Sequence, residues 1–521
     1  MGLISEQRVL SEKKICTADE AIALIDDGCT VASSGFVGAG HPEALTAALE
    51  RRFISTGHPR DLTLVYAAGQ GDGRSRGLNH LAHDGLLKRV IGGHWGLAPA
   101  LGRMALEGRI EAWNLPQGVI CQLFRDIASG RPGCITRIGL GTFIDPIHGG
   151  GRLNERSLED LVERIEIRGR TWLLYHAFPI HVALIRATAA DPHGNLILDE
   201  EAVIGDVLPI AQAAHNHSGL VIAQVRRLLP KPLPPQQVRV PGRLISQIVI
   251  ADSAQHWQTF AEPFNTTYCT ASPGSDAQGL PGDAEIPEVV RKVIAERACD
   301  ELAAGNLVNL GIGLPEGIAV VAASRGLLQK VTLTVESGPI GGMPAGGLSF
   351  GAARYPEAII DQPSQFDFYD GGGLDFAALG AAEVDSCGNV NVSRFGSRFA
   401  GVGGFVNISQ SARSLVFCGT LTADGMEARL ESGRLTIHRE GRIRKFVRQV
   451  QQISFAGRDA AATGQKVLFV TERAVFRLTS EGLELIEVAP GVDIDVDILQ
   501  QMEFRPLIRT VASMRLPQES R

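Results

Sequence analysis

The sequence lacks the patterns that mark disulfide-rich, membrane-spanning and secreted proteins. Its eight cysteines contain no C-x-x-C pair and are spread along 521 residues, so we interpret them as reduced thiols of a cytoplasmic protein. No run of about 18 apolar residues occurs, which argues against a membrane-spanning helix. Residues 1–8 have no long apolar stretch, so we predict no signal peptide.

The chain also lacks the common motifs for metals and nucleotides. Its 13 histidines form no His-x-x-x-His or His-Glu-x-x-His pair, and we therefore predict no metal site. The glycine loop at residues 35–40 has neither the lysine of a P-loop nor the G-x-G-x-x-G spacing. A net charge of −7 with scattered basic residues argues against a general nucleic-acid surface, so any anion site must be local.

Glycine is abundant, at 60 residues, and it accompanies 44% hydrophobic and 21% charged residues. This composition is typical of an α/β protein with many tight loops and a large core. At roughly 150 residues per domain, the length allows about three units or two large ones. A proline- and glycine-rich stretch at 272–283 places the boundary near residue 280, which gives an N-terminal domain over 1–280 and a C-terminal domain over 281–521.

The two halves of the chain repeat one pattern in the same order. In the first half a capping box at 17–20 predicts a helix to about Asp27, and a strand over 29–33 then enters a glycine loop. In the second half a helix over 287–305 and a strand over 307–310 enter a similar loop. The order of these elements predicts two related α/β domains.

A repeated turn and a β-rich C-terminal region are also visible in the sequence. An Asp-x-x-Gly-Asn turn occurs after a predicted strand in each half, at 191–195 and at 385–389. Beyond Gly419 the chain becomes β-rich, with residues 431–433 and 440–441 predicted as hairpin turns. The shared turn supports the internal repeat.

Glu336 is the most informative position, because an apolar β-type run at 331–335 breaks there into a glycine-rich turn at 337–347. Ligands of open α/β sheets gather beyond the carboxyl ends of strands, so this carboxylate is a candidate nucleophile. Taken alone, such a glutamate is more often a helix N-cap or first-turn acid. Its interpretation therefore depends on the segments around it.

Five segments accompany Glu336 in a pattern that resembles a known family. They are Asn-Leu-Pro-Gln-Gly at 114–118, residues 139–146, Asn-Leu-Gly-Ile-Gly-Leu-Pro at 309–315, Gly-Val-Gly-Gly-Phe at 401–405, and residues 487–493. Together they resemble the family I coenzyme A transferases over nearly the full length. The resemblance implies two related open α/β domains with one site at the interface between the halves.

By that resemblance Glu336 is the nucleophile that attacks an acyl-CoA thioester and becomes a glutamyl-CoA thioester, from which a second carboxylate takes the CoA. The resemblance assigns the Gly404 N–H and the Gln117 amide to oxyanion or carboxylate binding, and it places Asn309 beside the nucleophile. The residues expected along the CoA site are Gly403, Gly404, Gly341, Gly342, Gly346 and Gly347. Candidates for the CoA phosphates are Arg394, Arg398 and Lys445.

Residues 336–338 read Glu-Ser-Gly, where many two-subunit members of the family have Glu-Asn-Gly. The Glu-Ser-Gly form resembles the fused, single-chain branch that acts on short-chain acyl groups. The expected substrates are then a short-chain acyl-CoA and a carboxylate such as acetate, propionate or a 3-oxoacid. The resemblance implies no cofactor beyond the CoA of the substrate, and a homo-oligomer, either dimer or tetramer. Two alternatives stay open: an acyl-CoA hydrolase, and a non-catalytic acyl-CoA-binding protein on the same fold.

Overall fold

The computed structural model describes residues 14–271, 289–396 and 398–517. It contains two large β-sheets, one in each half of the chain. The predicted α/β class is confirmed. The first sheet ends with a strand at Gln247–Ile250 and the second begins with a strand at Leu307–Leu310. The boundary predicted near residue 280 lies outside the described residues, as does the predicted helix start at Pro287.

The first sheet has nine strands, of which eight are parallel. Parallel strands covered on both faces are apolar throughout, and all nine residues of Val182–Ala190 are buried. In spatial order the strands are Ile15–Cys16, Gln247–Ile250, Leu220–Leu228, Val182–Ala190, Thr30–Ser33, Leu62–Tyr66, Leu87–Gly92 and Glu111–Asn114, with Leu196–Ile197 antiparallel to Val182–Ala190.

The second sheet has ten strands around a parallel centre, with antiparallel pairs on both sides of it and one parallel pair, Gly482–Val488 with Leu507–Ser513, at an edge. In spatial order they are Ala358–Ile359, Pro339–Ile340, Thr332–Thr334, Leu307–Leu310, Phe376–Gly380, Ser414–Cys418, Lys466–Val470, Ala474–Thr479, Gly482–Val488 and Leu507–Ser513. The strand that precedes Glu336 therefore lies beside the strand that contains Asn309.

The central strands of the two sheets share one spatial order, which confirms the predicted repeat. The order Leu220–Leu228, Val182–Ala190, Thr30–Ser33, Leu62–Tyr66 in the first sheet matches Ser414–Cys418, Phe376–Gly380, Leu307–Leu310, Thr332–Thr334 in the second. The two Asp-x-x-Gly-Asn turns also match. Asp191 accepts hydrogen bonds from the N–H and amide of Asn195, and Asp385 accepts the same pair from Asn389.

Helices and small sheets cover the two large sheets. The α-helices are Ala18–Ile22, Glu43–Thr56, Pro99–Leu106, Gln117–Ala128, Val207–Asn216, Val289–Cys299, Glu316–Ser324, Gln362–Phe368, Phe405–Ser411 and Gly457–Thr463. The small sheets are Gly133–Thr136 with Arg170–His176 and Val162–Ile167, Met343–Pro344 with Ala353–Arg354, Glu383–Val384 with Val390–Asn391, Arg394–Phe395 with Arg398–Phe399, Thr422–Ala423 with Ile443–Arg444, and Glu427–Glu431 with Arg434–Arg439.

One continuous core joins the halves. Its largest cluster of buried apolar side chains includes Phe124 of the first half and Phe366 and Phe417 of the second. The helix Gln117–Ala128 packs on the helix Gln362–Phe368 within this cluster. Close packing resists displacement, so the two halves hold each other in a fixed relation at this contact.

Three local predictions were wrong. The first helix ends at Ile22 rather than near Asp27, because the Arg52 guanidinium donates to the carbonyl oxygens of Ile22 and Ile25 and so takes the place of further helical N–H donors. The described helix Val289–Cys299 ends short of the predicted end at Gly305. Residues 440–441 are not a hairpin turn, because the following strand Ile443–Arg444 pairs with Thr422–Ala423.

Candidate functional site

Glu336 lies just past the strand Thr332–Thr334, at the carboxyl end of the second sheet, as predicted. Only 9% of the residue is exposed. Burial raises the pKa of this carboxyl above its usual value, since the charged form is disfavoured away from water. Hydrogen bonds from its own backbone N–H and from the Asn309 amide partly offset that rise. The site thus holds a carboxyl group that is poorly solvated when ionised.

Asn309 lies on the neighbouring parallel strand, where its register partner is Thr334. Its Nδ2 atom is 3.3 Å from Glu336 Oε2 and 3.3 Å from Tyr369 Oη. A third acceptor, the Thr334 carbonyl oxygen, is 3.4 Å away. Asn309, predicted to lie beside Glu336, is therefore in direct contact with it.

Gly404 comes to the same carboxylate from a different segment. It is the N-cap of the helix Phe405–Ser411, and a methyl group placed on it would lie 3.4 Å from Glu336 Cγ. A backbone with no Cβ can approach a reacting group closely, which suits the predicted role. The preceding Gly403 has a φ of +52°, in the left-handed region that favours glycine.

Gln117 reaches the site from the first half. It begins the helix Gln117–Ala128, and its backbone N–H donates to the Gly403 carbonyl oxygen at 2.9 Å. The next residue, Gly118, donates its N–H to Asn407 Oδ1 at 3.1 Å. The structure therefore brings Gln117, Asn309, Glu336 and Gly404 together at the junction of the halves.

Two donors at this junction have no acceptor within the described parts of the chain. The Gln117 Nε2 atom is buried and without a partner, and the Gly404 N–H has no acceptor among residues 14–271, 289–396 and 398–517. Buried donors normally find partners, so an unpaired pair beside a buried carboxylate is unusual. Such donors are available to a developing oxyanion.

In the glycine-rich turn after Glu336, some glycines are required by the backbone conformation and one borders a cavity. Gly346 lines a cavity of about 590 Å³ together with Leu310 and Phe350. Gly341 and Gly342 have φ values of +74° and +70°, and added methyl groups would meet the Glu357 side chain and the Arg354 carbonyl oxygen. Turn geometry therefore accounts for those two glycines, whereas the cavity borders Gly346. Gly347 also has a positive φ, with open space at its Cβ position.

The three basic residues proposed for the CoA phosphates differ in their exposure. Arg398 is exposed and Arg394 is half-buried, while Lys445 is packed near Cys418, where burial lowers its pKa to about 8. Over the described parts of the chain, no group of three or more His, Cys, Asp or Glu side chains is arranged to hold a metal ion. No helix in those parts is long and apolar enough to cross a bilayer.

Sequence reasoning missed three residues at the site. Tyr369 contacts both Asn309 and Thr334, Asn407 holds Gly118, and Asp370 accepts hydrogen bonds from the Asn407 amide at 3.0 Å. Burial raises the pKa of Asp370 to about 7. The glycine run after Asp370 marks a turn, yet no motif there signals chemistry.

The chain is similar in sequence to known coenzyme A transferases. Residues 15–251 match the family described as Coenzyme A transferase. The chain is 43% identical over 502 residues to a caffeate CoA-transferase of Acetobacterium woodii, covering 95% of each protein. It is 41% identical over 511 residues to the acetate CoA-transferase YdiF of Escherichia coli strain K12, covering 98% of this chain and 95% of the relative.

Solved structures agree over the whole fold. The apoenzyme of the acyl-CoA transferase YdiF from Escherichia coli O157:H7 superposes with a TM-score of 0.91 at 39% identity, covering 98% of this chain and 96% of that one. A second structure of that protein, described as a thioester complex with CoA, has a TM-score of 0.89 at 39% identity and covers 98% and 95%.

Proposed function

The chain belongs to the coenzyme A transferase family and is an acyl-CoA:carboxylate CoA-transferase, and we propose that it moves CoA between a short-chain acyl-CoA and a free carboxylate through a covalent intermediate on Glu336. The central support is the pairing of a buried, poorly solvated carboxylate with two unused hydrogen-bond donors. A thioester structure is described for the related YdiF protein.

The proposed reaction has two half-reactions. The Glu336 carboxylate attacks the thioester carbonyl and expels CoA thiolate, which leaves an acyl-glutamyl anhydride. The thiolate then attacks the glutamyl carbonyl and releases the acyl group as a carboxylate, so that a glutamyl-CoA thioester remains. The acceptor carboxylate runs the same steps in reverse and leaves as the new acyl-CoA.

Each tetrahedral intermediate carries a negative oxygen that needs a donor. We assign the Gly404 N–H and the Gln117 amide to this oxygen, because both are unpaired in the described structure. One such donor typically contributes about 3 to 4 kcal/mol to the transition state. Asn309 holds the Glu336 carboxylate before attack through its 3.3 Å contact.

The substrate pair is proposed from the relatives. Acetate is the substrate named for YdiF and caffeate the one named for the Acetobacterium protein, and the two identities are nearly equal. We propose acetate, propionate or a 3-oxoacid as the acceptor, with no cofactor beyond the CoA of the substrate. We further propose a homo-oligomer and a cytoplasmic location; all eight cysteines are free thiols, which suits the latter.

Steady-state kinetics with a panel of acceptors tests this proposal. Acetyl-, propionyl-, butyryl- and acetoacetyl-CoA are each paired with acetate, propionate, acetoacetate and caffeate. Parallel double-reciprocal lines and formation of the new acyl-CoA are expected for short-chain pairs. CoA release at a rate independent of the acceptor would instead identify a hydrolase, and a preference for caffeate would overturn the short-chain assignment.

A further inference from the structure

A chain of buried hydroxyl and amide groups lies behind Glu336. Tyr369 is fully buried, and its Oη atom is 2.8 Å from Thr334 Oγ1 and 3.3 Å from Asn309 Nδ2. Its ring is packed against Phe366 and Phe368, with centroids 5.9 Å and 6.1 Å away. The hydroxyl is therefore held in place by its aromatic neighbours.

The Val308 carbonyl oxygen, at the far end of this series of hydrogen bonds, sets the direction of each bond. The Thr334 hydroxyl lies 3.0 Å from the Val308 carbonyl oxygen, which can only accept. When Thr334 donates there, its oxygen accepts from the Tyr369 O–H. The Tyr369 oxygen then faces Asn309 as an acceptor, because its one proton is already committed to Thr334.

This polarity decides which end of the Asn309 amide faces the nucleophile. Glu336 Oε2, the Thr334 carbonyl oxygen and Tyr369 Oη all surround one terminal atom of the side chain at 3.3 to 3.4 Å. All three present lone pairs. An NH2 group offers its two protons to this set of acceptors, whereas a flipped amide would place its oxygen against three acceptors.

We propose that Tyr369 is a positioning residue, which fixes the Asn309 amide as a hydrogen-bond donor to the Glu336 carboxylate. This role rests on the proposed function, in which the ionised Glu336 is the nucleophile. Tyr369 itself touches neither substrate nor reacting atom in this account. It acts through Asn309, and Thr334 sets the direction of its hydroxyl.

The Asn309 hydrogen bond lowers the pKa of Glu336 against the larger effect of burial. Burial together with the Glu336 charge raises the pKa of the Tyr369 phenol, so the phenol stays neutral. Loss of the hydroxyl removes one of the three groups that orient the Asn309 amide, which weakens its hydrogen bond to Glu336, and the carboxylate must then form at a higher pH.

The test is the pH dependence of kcat/KM for Tyr369→Phe against the wild-type protein. The acid limb is expected to move upward by roughly one pH unit, with about a tenfold loss below the limb and a smaller loss on the plateau. The matched control is Tyr175→Phe, which removes another buried hydroxyl, bonded to the Ile138 carbonyl oxygen at 2.7 Å in the first half. The control limb is expected to stay in place.

A second variant changes Thr334, the hydrogen-bond partner of the Tyr369 hydroxyl. Thr334→Val removes the acceptor of the Tyr369 proton, and its acid limb is expected to shift in the same direction. The double variant should shift no further than either single one, because both changes act through Asn309. An unshifted limb in Tyr369→Phe or in Thr334→Val, or equal loss at every pH, would overturn the positioning role.

The outcome for Tyr369 is separable from the proposed function. The glutamyl-CoA adduct of the wild-type protein is measured by mass spectrometry in parallel. Absence of that adduct contradicts the role of Glu336 itself. An adduct in the wild-type protein, with an unshifted limb in Tyr369→Phe, contradicts only the positioning role.

Discussion

The backbone N–H of Gln117 donates to the Gly403 carbonyl oxygen at 2.9 Å. This bond ties the first turn of a first-half helix to the second-half loop that carries Gly404. A second bond, from the Gly118 N–H to Asn407 Oδ1 at 3.1 Å, holds the same two segments together. The two donors assigned to the oxyanion are therefore positioned as one unit across the junction of the halves.

Removal of the Gln117 amide should affect catalysis more than folding. In Gln117→Ala we expect kcat to fall about 10²- to 10³-fold, the usual effect of losing one oxyanion donor. The free energy of unfolding should hold or rise, because the buried Nε2 atom has no partner to lose among the described residues. Steady-state kinetics and chemical denaturation measure the two quantities.

Gln122→Ala is the matched control on the same helix, since its amide bonds to the Pro363 carbonyl oxygen and to Asp367 instead. Its kcat should stay within about threefold of wild type. Equal losses in both variants would mean that Gln117 acts only through the helix.

A single methyl group at Gly404 should disturb the nucleophile. In Gly404→Ala the new carbon would lie 3.3 Å from Ile408 Cδ1 and 3.4 Å from Glu336 Cγ. Such contacts are tight, so we expect kcat/KM to fall about tenfold or more while the melting temperature changes by only a few degrees. Gly371→Ala, where no atom lies within 4 Å of the added carbon, should behave as wild type. Full activity in Gly404→Ala would contradict the close approach.

Asp370 should make the protein less stable as the pH rises toward neutrality. Its folded-state pKa is about 7, against 3.8 ordinarily, because burial disfavours the charge. The folded protein then keeps a proton that the unfolded chain releases above about pH 4. The stability from this group is full at low pH and is lost as the pH rises to about 7.

Asp370→Asn keeps an acceptor for the Asn407 amide and buries no charge. Above pH 7 its free energy of unfolding should exceed that of wild type by about 1 to 3 kcal/mol, with a flatter pH dependence between 4 and 7. Asp206, whose pKa burial also raises to about 7, offers a second test, and Asp206→Asn should flatten the curve further. An unchanged curve for Asp370→Asn would contradict the buried charge.

The sequence identified the parts of the site that are carried by local motifs. Glu336, Asn309, Gly404 and Gln117 each lie in a short segment with glycine or proline neighbours, and family resemblance joined those segments. The repeat of the two halves was also foreseen, because the same helix, strand and turn signals recur in each half.

The contacts that orient the site were not foreseen, because they depend on tertiary packing. Tyr369 meets Asn309 across 60 residues of chain, and Asn407 meets Gly118 across 289. No spacing rule links such positions. The early end of the first helix has the same origin, since the Arg52 side chain that takes over the last carbonyls comes from the next helix.

Mass spectrometry of the protein with acetyl-CoA, before any acceptor is added, tests the central claim most directly. A CoA-sized adduct is expected on the peptide that contains Glu336, removed by acetate and absent in Glu336→Gln. An adduct on another residue, or turnover in Glu336→Gln at the wild-type rate, would contradict the central claim.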